Sequence, residues 1–404
     1  MHIILIAPEF PSNQRNFARA LRDAGAIVTG IGERPVEWLD GDLRQWLHGY
    51  EQVSSVVNDG AMIEAVRNIQ RRGPWVHRLE ATVEAHIMTA ARVRAATGIP
   101  GQSPRSAMLC RDKPQMKAFL RQHGIPTAAS TGTDSLKEAL SFARAVGYPL
   151  IVKPRAGAGA AGTSRVNNDQ QLAAAMEAAG GDSVAIEEFI EGHEGFYDTL
   201  TVNGEVAVEF VSHYYPNVLP AMRERDISPQ IIATNRLSAP GYDELKQMGR
   251  AVIKALGLGT TATHMEWFYG PKGLKFSEIG ARPPGVSQWD VYGHGNDIDL
   301  YRQWAEGLVS GRLNQQPSRQ YACGKIALRP DQDGQIIGYS GLEEAQRRFG
   351  PMIVASHLPR PGSRTQPIDA GYHANAYMIV RHPSYDTLRG VLDEIGQLVK
   401  VHAR

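Results

Sequence analysis

Thr261-Ala262-Thr263-His264-Met265-Glu266-Trp267-Phe268-Tyr269, followed by Leu274-Lys275-Phe276-Ser277-Glu278-Ile279 and Gly280-Ala281-Arg282-Pro283-Pro284-Gly285, is the stretch on which the reading of this chain turns. Two apolar, aromatic-rich runs joined by a turn through Gly270 and Gly273 predict an antiparallel hairpin. Each arm carries one glutamate, Glu266 and Glu278. Two carboxylates facing each other there repel unless a cation stands between them. Mg²⁺ bridging phosphate oxygens is one solution and neighbouring Lys or Arg is another. His264 lies two residues from Glu266 on one strand and shares its face. Arg282 follows on a stiff proline-rich turn. There a planar guanidinium can stabilise charge on a transferred phosphoryl group or an acyl phosphate, or else pair structurally with one of the glutamates.

Working upstream, Val152-Lys153-Pro154 ends an apolar strand and runs into a loop bearing Gly157, Gly159 and Gly162. A strand-borne ammonium beside exposed loop amides suits phosphate oxygens, because glycine lets the backbone approach without a Cβ in the way. No Gly-Lys-Ser/Thr follows, so this is not a Walker loop. A mobile glycine loop beside a surface lysine would look the same. Next come Ala185-Ile186-Glu187-Glu188-Phe189-Ile190 and Glu194, apolar residues before paired acids at a strand-to-loop hinge. An adenine needs an apolar slot with backbone donor and acceptor, and a ribose needs a carboxylate; a solvated acidic strand end is the plainer alternative. Together the four features converge on a nucleotide triphosphate and its metal.

The rest of the chain supplies the frame. Strands at residues 2–7, 27–31, 53–57 and 75–78 alternate with helices at 16–24, 61–71 and 82–96, a rhythm that predicts a parallel α/β domain over residues 1–110. Residues 111–200, which carry Lys153 and Glu187, read as a central nucleotide-binding segment, the part that the resemblance named below makes a lid and ATP-binding domain. Residues 201–404, opening near the Asn203-Gly204 hairpin signal, read as a more antiparallel unit. The fold class is therefore α/β and α+β. Lys and Arg total 43 against 42 Asp and Glu, which leaves no basic field for nucleic acid or an anionic membrane. Cys110 and Cys323 are the only cysteines, too few for a disulfide framework or thiolate zinc site, and they suit a reducing, cytoplasmic setting. No run reaches membrane-spanning length.

In this order the motifs resemble the ATP-grasp superfamily, and within it the amino-acid-ligase-like carboxylate-amine ligases. The residues carrying the resemblance are Arg111-Asp112-Lys113, Lys153-Pro154 with its glycine loop, Glu187 to Ile190 with Glu194, and Glu266, Glu278 and Arg282. It implies an N-terminal parallel α/β domain, a small lid domain and a larger antiparallel C-terminal domain. ATP would lie between the last two, with one or two Mg²⁺ ions. Lys113 and Lys153 would contact phosphates, Glu187, Glu188, Phe189 and Ile190 would frame adenine, and Glu194 would hold ribose. Glu266 and Glu278 would carry magnesium while Arg282 faces the reacting groups. The family often has Asn two residues after the second metal glutamate, where this chain has Gly280.

The implied reaction joins a small-molecule carboxylate to an amine through an acyl phosphate, releasing ADP and phosphate. A biotin-carboxylase-like or purine-synthesis enzyme is the nearest alternative, although no acid-His pair follows Arg282 and no second anion site for a phosphoribosyl group is visible. A non-catalytic ATP sensor is a third reading, favoured by Gly280 and disfavoured by Arg282. Residues 213–235 read as a long loop forming a substrate wall, with His213, Arg223 and Arg225, and His264 beyond it, as substrate contacts. A homodimer is admitted as an assembly.

Overall fold

The computed structural model describes residues 1–156, 162–285, 287–368, 372 and 375–404. Its first sheet is parallel and four-stranded, in the spatial order Gly49–Gln52, Ile27–Gly32, His2–Ile6, Arg78–Glu80. His2–Ile6 is buried at every position because it is an interior strand covered on both faces, and such strands are continuously apolar instead of alternating. Ile3 and Leu5 join one core with Phe17 and Leu21, while Ile4 and Ile6 join another with Met62 and Val66. The third strand lies at Gly49–Gln52, not at the expected 53–57. Val53 and Val56 are buried in the turn that follows, so their apolar character serves packing and not pairing.

A second sheet, antiparallel and small, orders Ser130–Thr133, Val184–Glu188, Leu150–Pro154 and Ser164–Val166. Helices Leu136–Val146 and Asp169–Ala178 close a core of Leu150, Val152, Val166, Leu172 and Ile186. Lys153 and Glu187 stand on adjacent strands of this sheet.

The third sheet has eight strands, all antiparallel to their neighbours: Gly273–Gly280, Thr261–Gly270, His193–Val202, Glu205–Tyr215, Gln230–Ala233, Ala322–Leu328, Ala376–His382 and Ile353–His357. Asn203 and Gly204 both have positive φ, 53° and 88°, as the predicted type I′ turn requires. The two arms of that hairpin therefore share one sheet, and the division expected at residue 200 cuts through it. Nor are residues 213–235 one long loop. They hold the end of Glu205–Tyr215, a short helix Val218–Ala221 and strand Gln230–Ala233.

Alternation, interrupted by bulges at Val206–Val208 and at Glu266–Trp267, gives this sheet two chemically different faces. Tyr197, Val211, Met265 and Trp267 pack against helix Asp243–Leu256 on one side. Phe196, Leu200, Phe210, Ile231 and Ala262 pack on the other with helices Gln288–Asn296 and Leu300–Ser310, and with Phe17 of the first domain. Phe17 meets Trp289, Tyr301 and Trp304 at ring separations of 5.2, 4.9 and 5.0 Å. This aromatic junction fastens the first domain to the sheet that carries the acids. Among the described residues no helix is long and apolar enough to cross a membrane.

Candidate active site

One cavity of about 860 Å³ opens where the three sheets meet. That volume lies toward the upper end of the ~300–1,000 Å³ typical of small-molecule sites, roomy enough for a nucleotide beside a second ligand. Its wall includes Lys113, Lys153, Glu187, Glu188, Phe189, Ile190, Glu194, His264, Glu266, Glu278, Arg282 and Arg223.

The hairpin places Glu266 directly opposite Glu278, which the spacing alone left open. Each side chain is about a fifth exposed, 21 % and 23 %, and both line the cavity. Their environments differ. Burial and the facing Glu278 raise the pKa of Glu266. Burial pushes Glu278 the same way, but Lys113 and Lys153 overcome it and the net shift is downward. Glu278 Oε2 lies 3.3 Å from Lys113 Nζ and 3.8 Å from Lys153 Nζ.

Lys113 begins helix Lys113–Gln122, whose N-cap Asp112 accepts from the Gln115 amide and is clamped by Arg155 at 2.7 Å. One turn on, Lys117 projects from the same side, a residue the motif reading passed over although i,i+4 spacing from Lys113 announces it. Lys117 is 1 % exposed. Its Nζ sits 2.6 Å from Glu187 Oε2, and Lys153 Nζ reaches the same oxygen at 2.9 Å. Burial draws Lys117 down to about 8 despite Glu187. Lys153 feels burial too, but Glu187 and Glu278 reverse the direction and raise it. Glu187 is held down to about 2 because its two ammonium partners outweigh its burial. Its side chain thus anchors two lysines at the hinge between the small and large sheets. Next to it, Arg165 stacks over Phe189 with its guanidinium carbon 4.4 Å from the ring centre, and both line the cavity.

Glu194 is buried and accepts the Val218 amide at 2.8 Å; burial and then Glu266 raise its pKa. His264 does share the face of Glu266, with Nε2 3.8 Å from Glu266 Oε1. Its Nδ1 is 2.7 Å from Asp198 Oδ1, whose other oxygen accepts the Tyr292 hydroxyl at 2.6 Å. Burial lowers the His264 pKa, but Asp198 reverses this and the net shift is upward. Asp198 and Tyr292 carry no motif signal; register finds Asp198, since it pairs with His264 across the sheet.

Other expected contacts are distributed differently. His213 pairs with Gly195 on the far face, where it bonds His193 at 2.9 Å and Tyr242 at 2.8 Å, and alternation puts its neighbour Tyr214 on the cavity wall instead. Arg225 turns away to Asp333 at 2.8 Å and is absent from the cavity wall. Gly162 has φ +69° and stands outside that wall, against Pro154. Gly157 and Gly159 lie outside the described residues.

The donor set fits a magnesium–nucleotide complex. Among the described residues no group of three or more His, Cys, Asp or Glu is placed to hold a metal alone. An ion between Glu266 and Glu278 would complete its shell with phosphate and water, the usual habit of Mg²⁺.

Comparison with known proteins agrees with this geometry. Residues 118–292 match the ATP-grasp domain model. The L-arginine-specific L-amino acid ligase of Bacillus subtilis is 27% identical over 249 residues, a match spanning 59% of this chain and 59% of that protein. The formate-dependent phosphoribosylglycinamide formyltransferase of Stutzerimonas stutzeri is 27% identical over 318 residues, 73% of this chain and 78% of that one. The crystal structure of an L-amino acid ligase from Bacillus licheniformis shares the fold at a TM-score of 0.78 and 19% identity, covering 100% of this chain and 98% of that one. The segment that matches the ATP-grasp domain, residues 118–292, bears Lys153, Glu187, Glu194, Glu266, Glu278 and Arg282.

Proposed function

We propose that this chain is an ATP-dependent carboxylate-amine ligase, forming an amide or peptide bond through an acyl phosphate and releasing ADP and phosphate. The observation that carries the reading is the opposed pair Glu266 and Glu278, with Lys113, Lys153 and Arg282 on the wall of the same cavity. Three cations around a carboxylate pair suit a polyphosphate with its metal.

Lys113 and Lys153 exchange Glu278 for phosphate oxygens when the nucleotide enters. Glu187 keeps Lys153 extended toward the cavity. Phe189, Ile190 and Arg165 wall the base, and Glu194 accepts from the ribose. Glu266 and Glu278 would hold magnesium, which would supply positive charge beside the transferred phosphoryl group. A carboxylate oxygen of the acid substrate attacks the γ-phosphorus, with Arg282 facing both that carboxylate and the transferred phosphoryl group. The bond from that phosphorus to the bridging oxygen breaks and ADP departs. The amine nitrogen then attacks the acyl carbon, the carbon–oxygen bond to phosphate breaks, and the amine proton leaves with phosphate or water. Preorganised charge of this kind is the main lever in phosphoryl transfer.

The test is a phosphate- and ADP-release screen over pairs of amino acids, with the product weighed by mass spectrometry. Stoichiometric AMP and pyrophosphate would refute the acyl-phosphate route. The formyltransferase relative supplies a second reading, and formate as the sole acid, with a phosphoribosyl amine, belongs in the same screen. Turnover there and with no amino-acid pair would replace the first reading.

A further inference from the structure

Glu84 comes from a short 3₁₀ turn, Glu84–His86, between strand Arg78–Glu80 of the first domain and helix Ile87–Thr97. It reaches 198 residues along the chain to the turn behind Glu278, where its Oε2 accepts from Arg282 Nε at 2.6 Å. Its Oε1 accepts from Arg111 Nη1 at 2.8 Å, and the same guanidinium nitrogen also donates to the Glu84 carbonyl. Arg282 Nη1 is taken by the carbonyl of Pro283 at 2.8 Å. A planar guanidinium fixed at Nε and Nη1 has its plane and direction set. Arg282, Glu84 and Gly285 all line the cavity.

Gly280 belongs to the same device. A Cβ built there would stand 3.2 Å from Glu84 Oε2 and 3.4 Å from Arg282 Cγ, both inside or at the edge of tight contact. Gly280 is absent from the positive-φ residues, so nothing in its backbone asks for glycine; the space does. The volume beside the second metal glutamate is given to a carboxylate from another domain.

We propose that Glu84 is the positioning residue for Arg282: across the junction between the first domain and the large sheet, it aims the guanidinium at the transferred phosphoryl group, and Gly280 is the space that admits it. This rests on the placement of Arg282 in the proposed reaction, but not on which acid or amine is joined. Glu84 acts through the guanidinium that it holds. A first domain that shifts relative to the sheet therefore turns Arg282, which couples its seating to the chemistry.

The experiment uses the full chain with Mg²⁺, ADP and orthovanadate, which presents a phosphoryl-like group beside ADP without needing either substrate. Calorimetry reads vanadate affinity at saturating ADP, and ADP affinity alone. Glu84→Gln keeps shape and removes charge, and should weaken vanadate by about tenfold or more while ADP affinity stays within twofold, as expected for loss of a charge-assisted bond that holds the guanidinium. Glu84→Asp should recover part of the loss. Gly280→Ala should weaken vanadate in the same sense by displacing the carboxylate. Equal vanadate affinity in parent and Glu84→Gln overturns the proposal. So does a Glu84→Gln loss that appears equally in ADP affinity, or one that Glu84→Asp leaves unimproved. Because vanadate is the probe, failure of the amide-forming reading would show separately, as absent ligation in a parent whose vanadate site still depends on Glu84.

Discussion

Lys117 and Glu187 should be strongly coupled, and the structure sets the size. Their 2.6 Å contact has side-chain exposures of 1 % and 6 %, so neither charge has water to fall back on. Removing one partner of a buried ion pair costs about 3–5 kcal/mol when the other is stranded. Glu187 is not stranded in Lys117→Met, because Lys153 remains 2.9 Å away. Burial also makes charged Lys117 costly, as its fall to about 8 shows, and methionine relieves that cost. Both corrections lower the loss, to about 2 kcal/mol. In Glu187→Gln the two lysines lose their shared acceptor and buried Lys117 loses its contact carboxylate, while Lys153 keeps only Glu278 at 3.8 Å, so that variant should be the worse of the single changes. The assay is a double-mutant cycle on Lys117→Met and Glu187→Gln by denaturant unfolding, with ATP KM measured alongside. A coupling of about 2 kcal/mol is expected, within the range for contacting charged residues. ATP KM should rise more in Glu187→Gln, which frees Lys153. A coupling below about 0.5 kcal/mol would refute the reasoning, since contacts this short and dry cannot be additive.

Acid should unmask the same cluster: Glu187 is held near 2 against an ordinary 4.5, which contributes about 3 kcal/mol that is complete above pH 4.5 and lost as pH falls toward 2. Glu187→Gln should flatten the stability curve across that window, and an unchanged acid slope would count against the ion triad. Glu278→Gln should reduce turnover by orders of magnitude with little loss of melting temperature, because the amide keeps the shape but not the charge opposite Glu266; an active variant with the parent's magnesium dependence would remove Glu278 from the metal site. Gly280→Asn puts an amide where Glu84 Oε2 lies 3.2 Å from the Cβ position, so it should lower kcat about tenfold or more without easing the magnesium requirement; a lower magnesium requirement at full kcat would show that the added amide reaches the metal and that Glu84 is dispensable.

Much of this was legible in the sequence because it is local. The acids of the central hairpin, the strand-borne Lys153 and the Asn203-Gly204 turn each depend on a few neighbouring residues, and register did the rest. Glu84 was not legible, since nothing within its own segment marks a carboxylate whose partner lies 198 residues away. Gly280 was visible only as a departure from the family habit. Its reason lies in another domain, and a missing side chain does not say what fills the space. The strand expected at residues 53–57 failed for a different cause: buried valines in a turn look like a strand when only apolar content is read. His213 opens the stretch that reads as a substrate-lining loop, yet it lies in a strand whose period-two alternation assigns it to the face opposite Tyr214.

That alternation explains why so many polar groups meet on one wall. Strand His193–Val202 pairs Glu194 with Phe268, Phe196 with Glu266 and Asp198 with His264, so Glu194, Asp198, His264 and Glu266 must share a face. Glu278 joins them through Glu266, and Ser212 through Phe196. The intervening Tyr197, Met265 and Trp267 point into the helix-covered core behind. A one-residue slip between these strands would bury the acids against helix Asp243–Leu256 and turn that core toward the cavity, an exchange that costs both desolvated charge and lost apolar burial. The large core residues behind the sheet therefore specify the register that presents the acids. Substitutions at Tyr197 or Trp267 should impair magnesium and nucleotide binding through that register, although neither residue is placed to touch a ligand through the cavity-facing side of its strand.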